Sequence, residues 1–149
     1  MCGIAGWSLG PGASVPSETL EAMAAAIRHR GPDDHDSWCD AQAGVALTHN
    51  RLSIIDLSPA GRQPMRSESG RVLVFNGEIY NFRALRAELE RAGHAFRSRT
   101  DSEVVLRGFD EWGASVLGRL RGMFALALWS PHDRSLLLAR INLALAKLE

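Results

Sequence analysis

Cysteine is scarce in this chain: two residues, Cys2 and Cys39, among 149. Two isolated thiols argue against a disulfide framework and for a reducing compartment. Cys39 lies in Asp36-Ser37-Trp38-Cys39-Asp40, with no second cysteine or histidine at metal-ligand spacing. It reads as a small apolar residue, and no metal site is expected. Charge of one sign is also missing. The 17 Lys and Arg balance the 17 Asp and Glu, which removes the electrostatic case for nucleic acid or an anionic membrane. No apolar run approaches the roughly 20 residues that a membrane-spanning helix needs. The chain does not open on a basic segment followed by an apolar stretch, so no signal peptide is expected and the location reads as cytoplasmic. Gly-rich phosphate loops, internal repeats and low-complexity linkers are absent too.

What is present suits one globular domain, since the length is close to the roughly 150 residues of a typical one. At 46% hydrophobic residues the chain can build a core. Its most informative stretch is the first, Met1-Cys2-Gly3-Ile4-Ala5-Gly6-Trp7. Removal of Met1 would leave Cys2 with a thiol and a free α-amine on one residue. The thiol is a strong nucleophile, and an α-amine of pKa roughly 7.7–8.0 is partly free base near neutrality. One residue then supplies nucleophile and proton acceptor. The alternative is that Cys2 is merely the second codon. Against it, residues 3–7 read as a short buried strand with glycines where backbone must approach something closely.

Further along, Pro16 and Ser17 open a helix with Leu20, Met23 and Ile27 on one face. Gly31 and Pro32 stop it, inside Arg28-His29-Arg30-Gly31-Pro32-Asp33-Asp34, a loop whose charges could simply pair with one another. Val45–His49 reads as a strand, followed by an alternating segment from Arg51 to Asp56; Arg51 could be a solvated edge residue. Val72–Phe75 is continuously apolar, as in a sheet covered on both faces. The residues after Asn76-Gly77 turn helical, with Asn81 as N-cap, Phe82, Leu85 and Leu89 buried, and Gly93 as the stop. His94–Ser98 reads as a brief strand. Thr100-Asp101-Ser102-Glu103 forms a capping box, in whose first turn Asp101 could serve the helix alone. Met123–Trp129 and Ser135–Arg140 read as a hairpin of two deeply buried strands.

The elements alone give a mixed α/β domain and no chemistry, but six blocks in this order are highly specific: Met1-Cys2-Gly3-Ile4, Arg28–Asp33, His49-Asn50-Arg51-Leu52-Ser53-Ile54-Ile55-Asp56, Asn76-Gly77-Glu78-Ile79-Tyr80-Asn81, Thr100–Glu103 and Arg121–Ala125. Together they resemble the glutaminase domain of glutamine-hydrolysing asparagine synthetase, a class II glutamine amidotransferase. The resemblance covers residues 1–140. Arg30–Asp33 and Arg51–Ile55 favour this branch over the amidotransferases that make glucosamine phosphate or phosphoribosylamine.

The resemblance implies an α+β fold, the four-layer αββα N-terminal-nucleophile hydrolase sandwich with two stacked antiparallel sheets. It implies hydrolysis of L-glutamine through a thioester on Cys2, with the Asn76 side chain and the Gly77 N–H as oxyanion donors. Arg51 would clamp the substrate carboxylate and Asp101 its ammonium, assisted by Glu78, while the backbone of Leu52, Ser53, Ile54 and Ile55 lines the pocket. The implied partner is a synthetase domain or subunit that receives the ammonia, for an acceptor such as activated aspartate; a homodimer is left open.

After Ala139-Arg140 the chain departs from the family pattern. Residues 141–149 read as an atypical short tail with Ile141, Leu145 and Leu148 on one helical face, in place of the synthetase domain that the family pattern leads one to expect. ATP and Mg would belong to that domain, so no cofactor is expected in this chain. Two alternatives stay open: a domain serving another acceptor, and a non-catalytic relic that binds an amino acid or a partner. An N-terminal-nucleophile amidase acting on another amide is disfavoured by the Arg51 and Asp101 pairing, which suits a zwitterion.

Overall fold

The structure is a computed structural model that describes residues 2–13 and 16–141. Seven strands form two sheets. β1 (Gly3–Ser8), β2 (Asp34–Asp40) and β3 (Val45–Arg51) make the first, in the order β1-β3-β2. β4 (Met65–Arg66), β5 (Val72–Ile79), β6 (Gly122–Ser130) and β7 (Ser135–Ile141) make the second, in chain order. Every pairing is antiparallel. Helix α1 (Ser17–Ala26) covers the first sheet, and α2 (Phe82–Arg91) and α3 (Asp101–Trp112) cover the second. The result is helix, sheet, sheet, helices.

Strand alternation explains the layering. Val72 and Val74 of β5 meet Val45 and Leu47 of β3 and Trp129 of β6 between the sheets. Leu73, Phe75 and Ile79 point the other way, onto Leu85, Leu89, Val105 and Phe109 of the helices. By the same parity Asn76 and Glu78 face the first sheet. β3 is buried along its whole length because α1 covers one face and the second sheet the other. At the end of α1, Asn50 Nδ2 donates to the Ala24 carbonyl at 2.6 Å, beside the Ile27 N–H that the same oxygen accepts, and so ties the helix to β3.

Several expectations need correction. β2 was not foreseen: its sequence is polar because it is an edge strand, and Cys39 is exposed on it, where an apolar role has no meaning. Residues 94–98 form no strand, because the N–H groups of Arg97 and Ser98 donate to the Glu103 carboxylate instead of to a neighbour. The same contacts make the capping box one-sided: Thr100 Oγ1 accepts from Glu103 N–H, but the glutamate side chain reaches past Thr100. β5 runs on from the apolar run through Asn76 and Gly77 to Ile79, and α2 starts at Phe82, directly after Asn81 as expected. Asn81 does precede α2, yet its side chain bonds Arg119 O and Arg121 N–H and caps nothing. β7 is an edge strand in which Ser135, Leu138 and Arg140 are exposed and the rest are half-buried, so it is not deeply buried. Ile141 belongs to it, opposite Phe124. Leu145 and Leu148 of the proposed helical tail lie outside the described residues.

Candidate active site

β1 and β3 run antiparallel with Gly3 opposite Asn50, which sets Cys2 beside the point where β3 ends and the 52–58 loop begins. The Leu52 N–H donates to the Cys2 sulfur at 3.4 Å, and Arg30 Nε donates to the Cys2 carbonyl at 3.1 Å. The charged loop therefore does not pair within itself. Arg30 holds the N-terminus, Asp33 accepts from Ser53 N–H at 2.7 Å, and Asp34 pairs with Arg62. The sequence offered no signal for these tethers, since each crosses twenty residues or more.

In front of Cys2 lies a cavity of about 230 Å³, smaller than the roughly 300–1,000 Å³ of pockets for drug-sized ligands. Cys2, Arg51, Asn76, Gly77, Glu78 and Asp101 all line it, as does the segment Leu52–Ile55, whose Ile54 and Ile55 side chains are exposed. Every residue nominated from the sequence is thus at one cavity. Gln63, Thr100, Ser102 and Met123 line it too and were not foreseen.

The rear wall is one edge of β5. β4 pairs only with Val72 and Leu73, so the edge beyond them has no neighbouring strand. Phe75 N–H donates to Gln63 Oε1 at 2.6 Å, and Ile79 N–H donates to Asp101 Oδ2 at 3.0 Å. In an antiparallel ladder, residues two apart direct their N–H groups to the same side. Gly77, opposite Phe124 and between those two, therefore directs its N–H off the same edge, toward the cavity. A Cβ at Gly77 would sit 2.5 Å from Phe124 Cα, so glycine is required by the close approach of β6. The Asn76 Oδ1 is buried without a partner, which leaves the Nδ2 end to meet the cavity.

Two charges flank this wall. Arg51 is only 7% exposed, which discards the solvated-edge alternative. Its Nη1 donates to Ser58 O at 2.9 Å and its Nη2 to Asp56 O, leaving three of five N–H donors. A Cβ at Gly61 would strike that guanidinium. The loop that supplies the two carbonyls is itself pinned by Asp56, whose carboxyl is held down to about 2 by the N–H of Arg99 and by Ser58. At the other end, burial pushes the Asp101 carboxyl up from its ordinary value, against the N–H bonds from Ile79 and Ser102, and the nearby Glu78 charge adds to the upward push. A buried carboxylate with an exposed second one beside it suits a cation.

The description that matches residues 1–146 as a family model is "Glutamine amidotransferase domain". The chain belongs to this glutamine amidotransferase family. Its four layers are the N-terminal-nucleophile sandwich expected from the resemblance. A putative glutamine-hydrolysing asparagine synthetase of Mycobacterium tuberculosis is 42% identical, over 94% of this chain and 24% of its own length. Amidase chry2 of Gibberella zeae is 38% identical, over 94% of this chain and 22% of its own. The chain thus spans about a quarter of the relatives it matches. Among solved structures, glutamine phosphoribosylpyrophosphate amidotransferase from Bacillus subtilis, complexed with ADP and GMP, shares the fold. It has a TM-score of 0.55 and 22% identity, over 66% of this chain and 23% of that one. No helix among the described residues is long and apolar enough to cross a membrane.

His49 lies buried in β3 behind the amidotransferase site, and its pKa is lowered to about 4, chiefly by burial, with the Arg51 charge assisting and the Phe75 carbonyl and Asp34 opposing. An unfolded histidine titrates near 6.5. Between pH 6.5 and 4 the unfolded chain binds a proton that the folded chain does not, so stability falls as pH falls. The loss across that window is on the order of 3 kcal/mol. Urea unfolding at pH 7 and pH 4.5 should show it, and His49→Gln should lose distinctly less over the same interval. Asp56 adds only the small loss from its unfolded form protonating near the bottom of the window, and the raised Asp101 acts in the opposite direction, so the comparison of parent with variant isolates His49. Equal losses in parent and variant would refute the assignment.

Proposed function

We propose that this domain hydrolyses the side-chain amide of L-glutamine and releases ammonia. The observation that carries the proposal is one cavity holding a nucleophile, an unpaired strand edge and two opposite charges. The Cys2 sulfur attacks the γ-carbonyl, and the C–S bond forms as the carbonyl π electrons move to oxygen. The Gly77 N–H and Asn76 Nδ2 donate to that oxygen while it carries charge. Collapse breaks the C–N bond, and nitrogen leaves as ammonia with the proton taken from the thiol. Water then cleaves the γ-glutamyl thioester to glutamate. The proton carrier is the α-amine of Cys2, which requires removal of Met1, a residue outside those described.

Arg51 reads the substrate carboxylate with its free N–H groups, and Asp101 with Glu78 reads the ammonium. Each is a charge-assisted bond of about 1.5–3 kcal/mol, so Arg51→Ala or Asp101→Ala should raise KM at least about tenfold. The effects should be selective. An α-carboxamide analogue of glutamine should be a poor substrate for the parent and lose little further in Arg51→Ala. An analogue without the α-amine should behave likewise toward Asp101→Ala. Equal losses of Arg51→Ala on both analogues would make the arginine structural.

The ammonia goes to an acceptor handled by a synthetase domain or subunit, which would also hold ATP and Mg; this chain's own residues need no cofactor for amide hydrolysis. Activated aspartate is the acceptor that the asparagine synthetase relatives favour. The amidase relative supports a second reading, the same domain serving another acceptor. We also propose a cytoplasmic setting, consistent with free Cys2 and Cys39, no nucleic-acid or membrane partner, and a homodimer as an arrangement to be tested by sedimentation.

A further inference from the structure

β5 turns an unpaired edge toward the cavity, and an edge of that kind has no ladder to keep it straight. Both backbone groups of Phe75 on this edge are nevertheless bonded. Gln63 Oε1 accepts the N–H at 2.6 Å, and His49 Nε2 bonds the C=O at 3.2 Å. The two side chains come from opposite directions. Gln63 lies where the β4 ladder would continue, since Met65 opposite Leu73 extends to position 63 opposite Phe75. Pro64 between them has no N–H to offer. His49 comes from the other sheet, on its central strand, with β1 and β2 on either side. Both are sequestered: Gln63 is 7% exposed and His49 is fully buried.

We propose that Gln63 and His49 are positioning residues for amide hydrolysis, standing in for a missing strand at Phe75 and so fixing the peptide that leads into Asn76 and Gly77. The proposal rests on Asn76 and Gly77 acting as oxyanion donors. The chemistry of each contact leaves one orientation. A backbone N–H needs an acceptor, so the amide oxygen of Gln63 faces Phe75 and its nitrogen turns away, within a residue that lines the cavity. A carbonyl needs a donor, so the His49 proton sits on Nε2, and its buried Nδ1 has no acceptor that a proton there could serve. Asp101 does the same at Ile79 N–H. The donors of Asn76 and Gly77 are thus the stretch of edge held from both sides and left open between. Oxyanion donors act only within about 2.7–3.1 Å of the charge they meet, and a misplacement of about 1 Å can cost on the order of 10²-fold in rate.

Two substitutions remove the contacts and two retain them. His49→Met and Gln63→Leu delete the donor and the acceptor. His49→Gln keeps a nitrogen donor near the Nε2 position, and Gln63→Glu keeps an oxygen acceptor. The test uses the full-length protein, with kcat expressed per site labelled by a diazoketone analogue of glutamine, so that misfolded molecules are not counted. His49→Met and Gln63→Leu should lower kcat at least about tenfold with KM within about threefold. His49→Gln and Gln63→Glu should return it to within about threefold of the parent. Unchanged kcat per labelled site in the first pair, or no recovery in the second, overturns the proposal. Amide hydrogen exchange provides the arm that does not depend on activity. Phe75 exchange should rise at least about tenfold in Gln63→Leu, and an unchanged rate overturns the clamp. A parent protein that fails to hydrolyse glutamine while the exchange result holds would remove the glutaminase reading and leave the clamp standing.

Discussion

Cys2→Ala should lower kcat for glutamine hydrolysis by on the order of 10⁴–10⁶ and leave the domain folded. Removing a nucleophile deletes the covalent route altogether, and what survives is the catalysis that oxyanion donors and binding give to attack by water. The fold should tolerate the change because the sulfur bonds only the Leu52 backbone and sits half-buried at the head of β1. The tether that holds this end of the chain is the Cys2 carbonyl, bonded to Arg30, which alanine retains. Ammonia release under saturating glutamine, set beside thermal unfolding, decides it. Residual activity within tenfold of the parent would remove Cys2 from the chemistry. Mass spectrometry of active parent should find Cys2 at the N-terminus. Full activity in a preparation whose every chain keeps Met1 would remove the α-amine from the role of base.

Asn76→Ala is expected to lower kcat by roughly 10²–10³ with only a small change in KM, the signature of a donor that acts mainly on the developing oxyanion. The side chain lies on the parity of Val72 and Val74, facing the gap between the sheets, and its oxygen has no hydrogen-bond partner to lose. Stability should therefore move little. Asn76→Asp should do no better than alanine, since it replaces the donor with a second negative charge. A raised KM at unchanged kcat would transfer Asn76 to ground-state binding. The companion donor is a poorer target. Gly77→Ala drives a methyl into β6, so loss of activity there would not separate catalysis from folding.

Local pattern made much of the scaffold legible. The apolar run Val72–Phe75, the buried positions Leu85 and Leu89 of α2 and the threonine cap of α3 were all visible before any tertiary contact was known. They depend on burial and on hydrogen bonds a few residues apart. The misses share the opposite property. β2 carries two histidine-flanking aspartates and a cysteine, and nothing in that composition announces an edge strand that borrows one face from Trp129 through Trp38. Residues 94–98 have strand-like alternation but are claimed by the Glu103 carboxylate.

The sequence by itself determined the candidate reagents: a thiol at position 2, an Asn-Gly pair after an apolar strand, an arginine and an aspartate of opposite charge a third of the chain apart. Side-chain chemistry is written in residue type, and no fold is needed to know that cysteine attacks or that arginine binds a carboxylate. Only the tertiary structure decided which backbone groups stay unpaired. Whether the Gly77 N–H is spent on a neighbouring strand or left facing a cavity depends on where β4 stops. At Phe75 the same edge is held instead by Gln63, from the bend before β4, and by His49, from the other sheet. A strand's own residues carry no record of which edge will be covered, because that is settled by partners distant in sequence.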